Sequence, residues 1–145
     1  MSKYTDRAAE LFKSGLGCGQ AVSGAFADVV ADKISYENLI SLGSPFGGGF
    51  AATRGLCGCV TGMGIIFGLL YGAIDKDGKA QATERIAGIV GQFKERYGAL
   101  ECRDLSVRFG TEVTGTDIKR KSCLDYVEGA AELLEQFLRE NGAID

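Results

Sequence analysis

GSPFGGGFAATRGLCGCVTGMGIIFGLLYGAI, residues Gly43–Ile74, decides the fold. It opens as a glycine-rich loop with the only proline, Pro45, and passes Cys57 and Cys59. It then runs without a charge from Leu56 to Ile74, 19 residues with a glycine every few positions. That length meets the criterion for a transmembrane helix, and glycines 58 and 62, then 64, 68 and 72, have the GxxxG spacing that packs helices closely in membranes. Five glycines dilute the hydrophobicity, however, and a helix apolar on all sides is equally the buried helix of a soluble bundle. A single span would also leave the flanking amphipathic helices without a centre. The expected reading is therefore a central, buried, glycine-rich helix starting within Thr53–Cys57 and ending near Ala73, with no membrane partner. Each interior glycine costs about 1 kcal/mol relative to alanine. Their number implies a packing reason: a tight neighbour, or a second copy in a homodimer.

Outward from this segment the pattern is helical. Tyr4, Ala8, Leu11 and Phe12 fall on one face of a helix over residues 3–14, ended by Gly15 and Gly17. Cys18 then stands at the start of a second helix carrying Val22, Ala25, Phe26, Val29 and Val30. Ser35 caps a short third with Leu39, Ile40 and Leu42. After the central helix, Asp75–Gly78 (DKDG) reads as a turn. Ala82, Ile86, Ile89, Val90, Phe93 and Tyr97 form the clearest stripe, closed by Gly98. Residues 103–109 read as one short helical turn and Thr111–Thr116 as a loop. A last helix is expected to start at Ser122–Cys123, with Ser122 and Asp125 as a weak capping box and Leu124, Val127, Ala131, Leu134 and Leu138 facing the core. The expectation is an all-α bundle of five to six helices forming a single domain over residues 1–145, a length able to bury a real core.

Composition removes several function classes. Net charge is −3, and the basic residues gather only at Lys119, Arg120 and Lys121, which argues against nucleic acid. The chain has no histidine. The commonest general base, the commonest zinc ligand and the Ser-His or Cys-His dyads are thereby excluded. The start, MSKYTDRAAELFK, is charged from Lys3 onward and does not read as a signal peptide, so a cytoplasmic chain is expected. In that compartment five cysteines point to redox or metal chemistry rather than structural disulfides.

Cys18, Cys57 and Cys123 each fall at an expected helix start, where unpaired N–H groups and the helix dipole favour a thiolate. Arg54 precedes Cys57, Arg103 follows Cys102, and Lys119–Lys121 precede Cys123, so a cation stands near each of these three in sequence. Cys57 is the candidate nucleophile: it combines a helix start, a glycine-rich approach and Arg54. Cys59, two residues on, is expected to face away from Cys57 and to act as a small buried hydrophobe. Cys18, Cys57, Cys102 and Cys123 are separated by 39, 45 and 21 residues. No CxxC pair is present to make a zinc case.

These residues resemble the C-GCAxxG-C-C family, small redox-active proteins with four characteristic cysteines and a CGAxxG motif. Cys18 lies in GCGQAVSGAF. The motif is Cys57, Gly58, Cys59, Val60, Thr61, Gly62, preceded by GGGFAATRG. Cys102 lies in CRDL and Cys123 in CLDYVEGAAELL. Order and surroundings match over nearly the whole chain. Cys59 stands where the family motif has alanine, which makes it the extra cysteine. The resemblance implies a compact helical domain with a redox role.

Three readings stay open. In the first, Cys18, Cys57, Cys102 and Cys123 meet, and two of them cycle between dithiol and disulfide with a redox partner, as in a thiol–disulfide oxidoreductase. In the second, the same four thiolates hold an iron–sulfur cluster or, as a variant, zinc. In the third, the glycine face is a binding or assembly surface and the cysteines are incidental or form protective disulfides. Gly47, Gly48 and Gly49 suggest a phosphate-binding loop, but the loop has neither GxxxxGK[ST] nor a GxGxxG after a strand.

Overall fold

The computed structural model describes residues 2–107 and 117–145, with side chains over 2–106 and 123–145. The expected loop at Thr111–Thr116, the side chains of Lys119–Lys121 and the Ser122 cap lie outside the residues described. The fold is all-α. Among the described residues there are seven α-helices, one more than the upper expectation, a 3₁₀ turn at Phe50–Ala52, and no strand. The helices are α1 (Lys3–Lys13), α2 (Cys18–Gly24), α3 (Tyr36–Gly43), α4 (Gly58–Tyr71), α5 (Lys76–Tyr97), α6 (Cys102–Val107) and α7 (Asp117–Glu140).

The α1 helix starts at a reciprocal cap: the Thr5 N–H donates to Ser2 Oγ and the Ser2 N–H donates to Thr5 Oγ1. Its buried face is Tyr4, Ala8 and Phe12, with Leu11 half-buried. The Tyr4 ring stacks on Phe26 at 4.7 Å. This face packs on α2 and α7.

The α2 helix is shorter than its apolar stripe. It ends at Gly24, and the chain continues through tighter turns in which Phe26, Ala27 and Val29 donate to Ser23, Gly24 and Phe26, each three residues back. Ala25, Phe26 and Val30 are still buried, since such turns repeat an apolar face every three residues. The α3 helix is capped by Ser35, which accepts from the Asn38 N–H. Leu39 is buried, but Leu42 is 46% exposed, contrary to its expected core position. This helix packs chiefly on α2, which leaves it a narrow buried stripe.

The α4 helix packs against α2, α5 and α7. Cys57 is its N-cap, just outside the helix, at the late edge of the expected start. Its 14 residues are fewer than the uncharged run suggested. No helix among the described residues is long and apolar enough to cross a membrane. Asp75, read above as part of a turn, is instead the N-cap of α5, its carboxylate accepting from the Gly78 N–H. The α5 stripe is as expected, with Ile89, Phe93 and Tyr97 buried and Ala82, Ile86 and Val90 packed beside them. Gly98 closes it in the left-handed region at φ 82°, a conformation that costs a residue with a Cβ more than glycine.

The last helix departs most from expectation. It starts at Asp117, not at Ser122–Cys123. A stripe of apolar residues marks only the part of a helix whose sequence carries it. Residues 117–121, DIKRK, hold no helix breaker, so the helix extends beyond the stripe. Val127, Ala131, Leu134 and Leu138 are fully buried as expected, joined by Tyr126, Ala130 and Leu133.

Candidate redox site

Three cysteines sit at helix starts, but not the three expected. Cys18 is the first residue of α2, Cys57 the N-cap of α4, and Cys102 the first residue of α6. Cys123 lies inside α7, so the dipole argument made for it does not hold.

Cys57 and Cys102 are brought together by a short antiparallel clip. Leu56 and Glu101 form an isolated bridge. The Cys57 N–H donates to the Leu100 carbonyl at 2.8 Å, and the Cys102 N–H to the Gly55 carbonyl at 2.7 Å. Side chains alternate faces on paired extended backbone. Leu56 therefore points out, 45% exposed, while Cys57 and Cys102 point in, 6% and 7% exposed. Cys102 also makes a 3.7 Å sulfur–oxygen hydrogen bond with Ser106, one helical turn on.

The glycine-rich loop reaches the same place by an unusual backbone path. Gly48 and Gly49 have positive φ, and so do Ala51, Ala52 and Arg54, at 52°, 60° and 63°. Left-handed backbone costs roughly 1–2 kcal/mol at each residue bearing a Cβ. Cross-loop bonds hold it: Ala51 N–H to Pro45 at 2.7 Å and Arg54 N–H to Gly48 at 2.8 Å. Gly49 has a packing reason as well, since a Cβ there would stand 2.6 Å from the Gly55 nitrogen.

These elements line a small cavity of about 30 Å³, large enough for a water molecule. Cys18, Cys57, Cys59, Cys102 and Cys123 all line it, together with Gly48, Gly49, Leu105, Ser106 and Tyr126. The Tyr126 hydroxyl donates to the Leu105 carbonyl at 2.9 Å, tying α7 to α6. No charged side chain is among the lining residues described. Arg103, expected to offset a thiolate at Cys102, pairs with Glu101 at 2.8 Å on the exposed side.

Cys59 is buried as expected, but it does not face away from Cys57. Cys59 is fully buried on that cavity, and its thiol hydrogen-bonds with Cys18 and Cys57. Those hydrogen bonds, then burial, then the charges of the neighbouring thiols push its pKa well above the ordinary value. Counting helical angles from Cys57 failed because Cys57 has ψ 134°, outside the helix, so the 100° step does not apply between the two residues. Ser106 and Tyr126 were also missed. Ser106 carries a sequence signal, four residues after Cys102 on a helix. Tyr126 carries none.

The lining thiols do not fit a four-thiolate cluster as arranged. Among the described residues no three His, Cys, Asp or Glu side chains are grouped so as to hold a metal ion.

Neither a curated protein nor a solved structure matches the chain. A family model described as "Putative redox-active protein (C_GCAxxG_C_C)" matches residues 16–137, from the residues before Cys18 to beyond Cys123. The chain belongs to this C_GCAxxG_C_C family and shares its general redox role.

Proposed function

We propose that the protein exchanges thiols and disulfides with a redox partner, and that Cys57 is the attacking thiolate. The convergence of five cysteines, scattered from residue 18 to residue 123, on one small apolar cavity carries this reading. Cys57 is favoured by position. It caps α4, the one cysteine-led helix long enough for a full dipole, and it lies beside the glycine loop where a partner's backbone can approach. Cys57 Sγ attacks a partner disulfide RS–SR. It forms Cys57–S–S–R and releases one RS⁻, which takes a proton. A second thiol of the cavity then attacks Cys57 Sγ and releases the second RSH. The protein loses two electrons and two protons, and the partner disulfide gains them. Cys18, Cys59, Cys102 and Cys123 line the same cavity and are the thiols available for this second attack. Such chemistry suits a cytoplasmic chain whose thiols are kept reduced.

The test is a thiol count on reduced and oxidised protein together with Cys57→Ser. Two thiols should be lost on oxidation of the wild type, and the rate of loss should fall in the variant by about tenfold or more. An unchanged thiol count under an excess of oxidised glutathione would remove this reading.

A further inference from the structure

Cys59 is the residue that distinguishes this chain from the family motif, and no role is assigned to it. It is 0% exposed, so no partner disulfide can reach it directly. Yet it touches two other thiols, Cys18 and Cys57.

The crossing of α2 and α4 explains why Cys18 comes so close. The two helices meet backbone to backbone through glycines. A Cβ on Gly62 would lie 3.0 Å from the Gly19 carbonyl and 2.9 Å from Val22 Cβ, and a Cβ on Gly58 would lie 3.1 Å from the Gly19 nitrogen. Cys18 adjoins Gly19, and Cys59 stands between Gly58 and Gly62. Both thiols line the one cavity beside this crossing. Cys57 and Cys59 are only two residues apart, so a bridge between them closes a very small ring and is strained and readily exchanged.

We propose that Cys59 is a relay thiol, which takes the disulfide from Cys57 and closes it with Cys18. The inference rests on the thiol-exchange reading above and names the acceptor inside the protein. After Cys57 has formed Cys57–S–S–R with a small-molecule or protein disulfide, Cys59 attacks Cys57 Sγ. Its proton goes to the departing RS⁻, giving RSH and a transient Cys57–Cys59 bridge. Cys18 then attacks Cys59 Sγ, and its proton passes to Cys57. The Cys18–Cys59 bridge forms and Cys57 returns as a thiol. The sum is RS–SR plus two thiols giving two RSH plus one internal disulfide, so electrons and protons balance. The outcome is an oxidised protein that stores its disulfide in the core and keeps its nucleophile.

The experiment is oxidation of the full chain with oxidised glutathione, followed by alkylation and peptide mapping of the disulfides. It is done on wild type, Cys57→Ser and Cys59→Ala, the last being the residue the family motif carries there. The wild type should yield a Cys18–Cys59 linked peptide with Cys57 alkylated. In Cys57→Ser that peptide should form at least about tenfold more slowly, because in the relay the disulfide enters through Cys57 and not through the half-buried Cys18. In Cys59→Ala, Cys57 should stay oxidised, as a mixed disulfide or bridged to another cavity cysteine. The relay is overturned if wild-type Cys59 remains alkylatable after Cys57 has been oxidised, or if Cys18–Cys59 forms at the wild-type rate in Cys57→Ser. If Cys57 is never oxidised even in Cys59→Ala, the thiol-exchange reading fails instead.

Discussion

A Cβ on Gly58 would stand 2.2 Å from the carbonyl oxygen of Phe46, closer than any real Cβ contact. That carbonyl also accepts the Gly19 N–H at 3.2 Å. One backbone oxygen therefore joins the glycine loop, the start of α2 and the start of α4, the three segments that carry Gly48, Cys18 and Cys57 to the cavity.

Gly58→Ala is accordingly expected to destabilise the fold by about 2–3 kcal/mol, the upper range for overpacking, because the clash is with backbone and not with a side chain that can turn away. Urea denaturation checks this as a lowered midpoint. The cavity thiols should also alkylate faster in the variant, since the loop must shift away from them. A variant with the wild-type midpoint would mean that the loop is not held against α4 as described.

The glycines of α4 divide into two kinds with opposite expected signs. A Cβ on Gly62 would meet Val22 Cβ at 2.9 Å, whereas one on Gly68 meets nothing within 4 Å. Gly62→Ala should lower stability. Gly68→Ala should raise it by about 0.5–1 kcal/mol, because the helix gains and no neighbour is displaced. Measured midpoints for the pair decide the matter. A loss at Gly68, accompanied by a change in oligomeric state, would instead place a second chain on that face.

Tyr126→Phe removes the hydroxyl that donates to the Leu105 carbonyl from a buried position. The expected cost is about 1 kcal/mol, typical of one buried hydrogen bond. Because this bond ties α6 to α7, Cys102 should alkylate faster while Cys18, on α2, is unaffected. Equal rates at both cysteines in wild type and variant would show that α6 is held by other contacts.

Alkaline pH should destabilise the protein in two steps. Cys59 and Tyr97 both have raised pKa values, Cys59 through its hydrogen bonds with Cys18 and Cys57 and then burial, Tyr97 through burial and then the Asp125 carboxylate. A raised pKa means that the folded state holds its proton after the unfolded chain has released it. The stabilisation is complete below the unfolded values, 9.0 for Cys59 and 10.0 for Tyr97, and is lost as pH rises from there through the folded values. Urea midpoints measured upward from about pH 8 should fall, first from about pH 9. Cys59→Ala should flatten that first fall and leave the later one. A level midpoint across the alkaline range would contradict the burial of Cys59 among thiols.

Local patterns carried most of the helical framework and part of the site. The stripes Tyr4–Ala8–Phe12, Ile89–Phe93–Tyr97 and Val127–Ala131–Leu134–Leu138 are read from spacing alone and are buried in the structure. This works because a helix repeats its contacts every three to four residues, so one buried face leaves a local mark. Cys18 at a helix start and Cys57 at a cap were legible for the same reason. The first turns of α7 carry no apolar stripe in the sequence, so the expected start falls later than Asp117. Asp75 was misread because an aspartate–glycine cluster serves a turn and an N-cap equally well.

The sequence by itself determined that this is a helical chain without histidine chemistry, with Cys18 and Cys57 at helix starts and membership of a redox-active family. Only the tertiary structure decided which thiols meet. The Leu56–Glu101 bridge turns Cys57 and Cys102 inward together, and the glycine crossing of α2 and α4 brings Cys59 against Cys18. Both are pairings between residues about 40 or more positions apart in the chain. Helical periodicity reaches only a turn or two along the chain, so no local pattern could encode either contact.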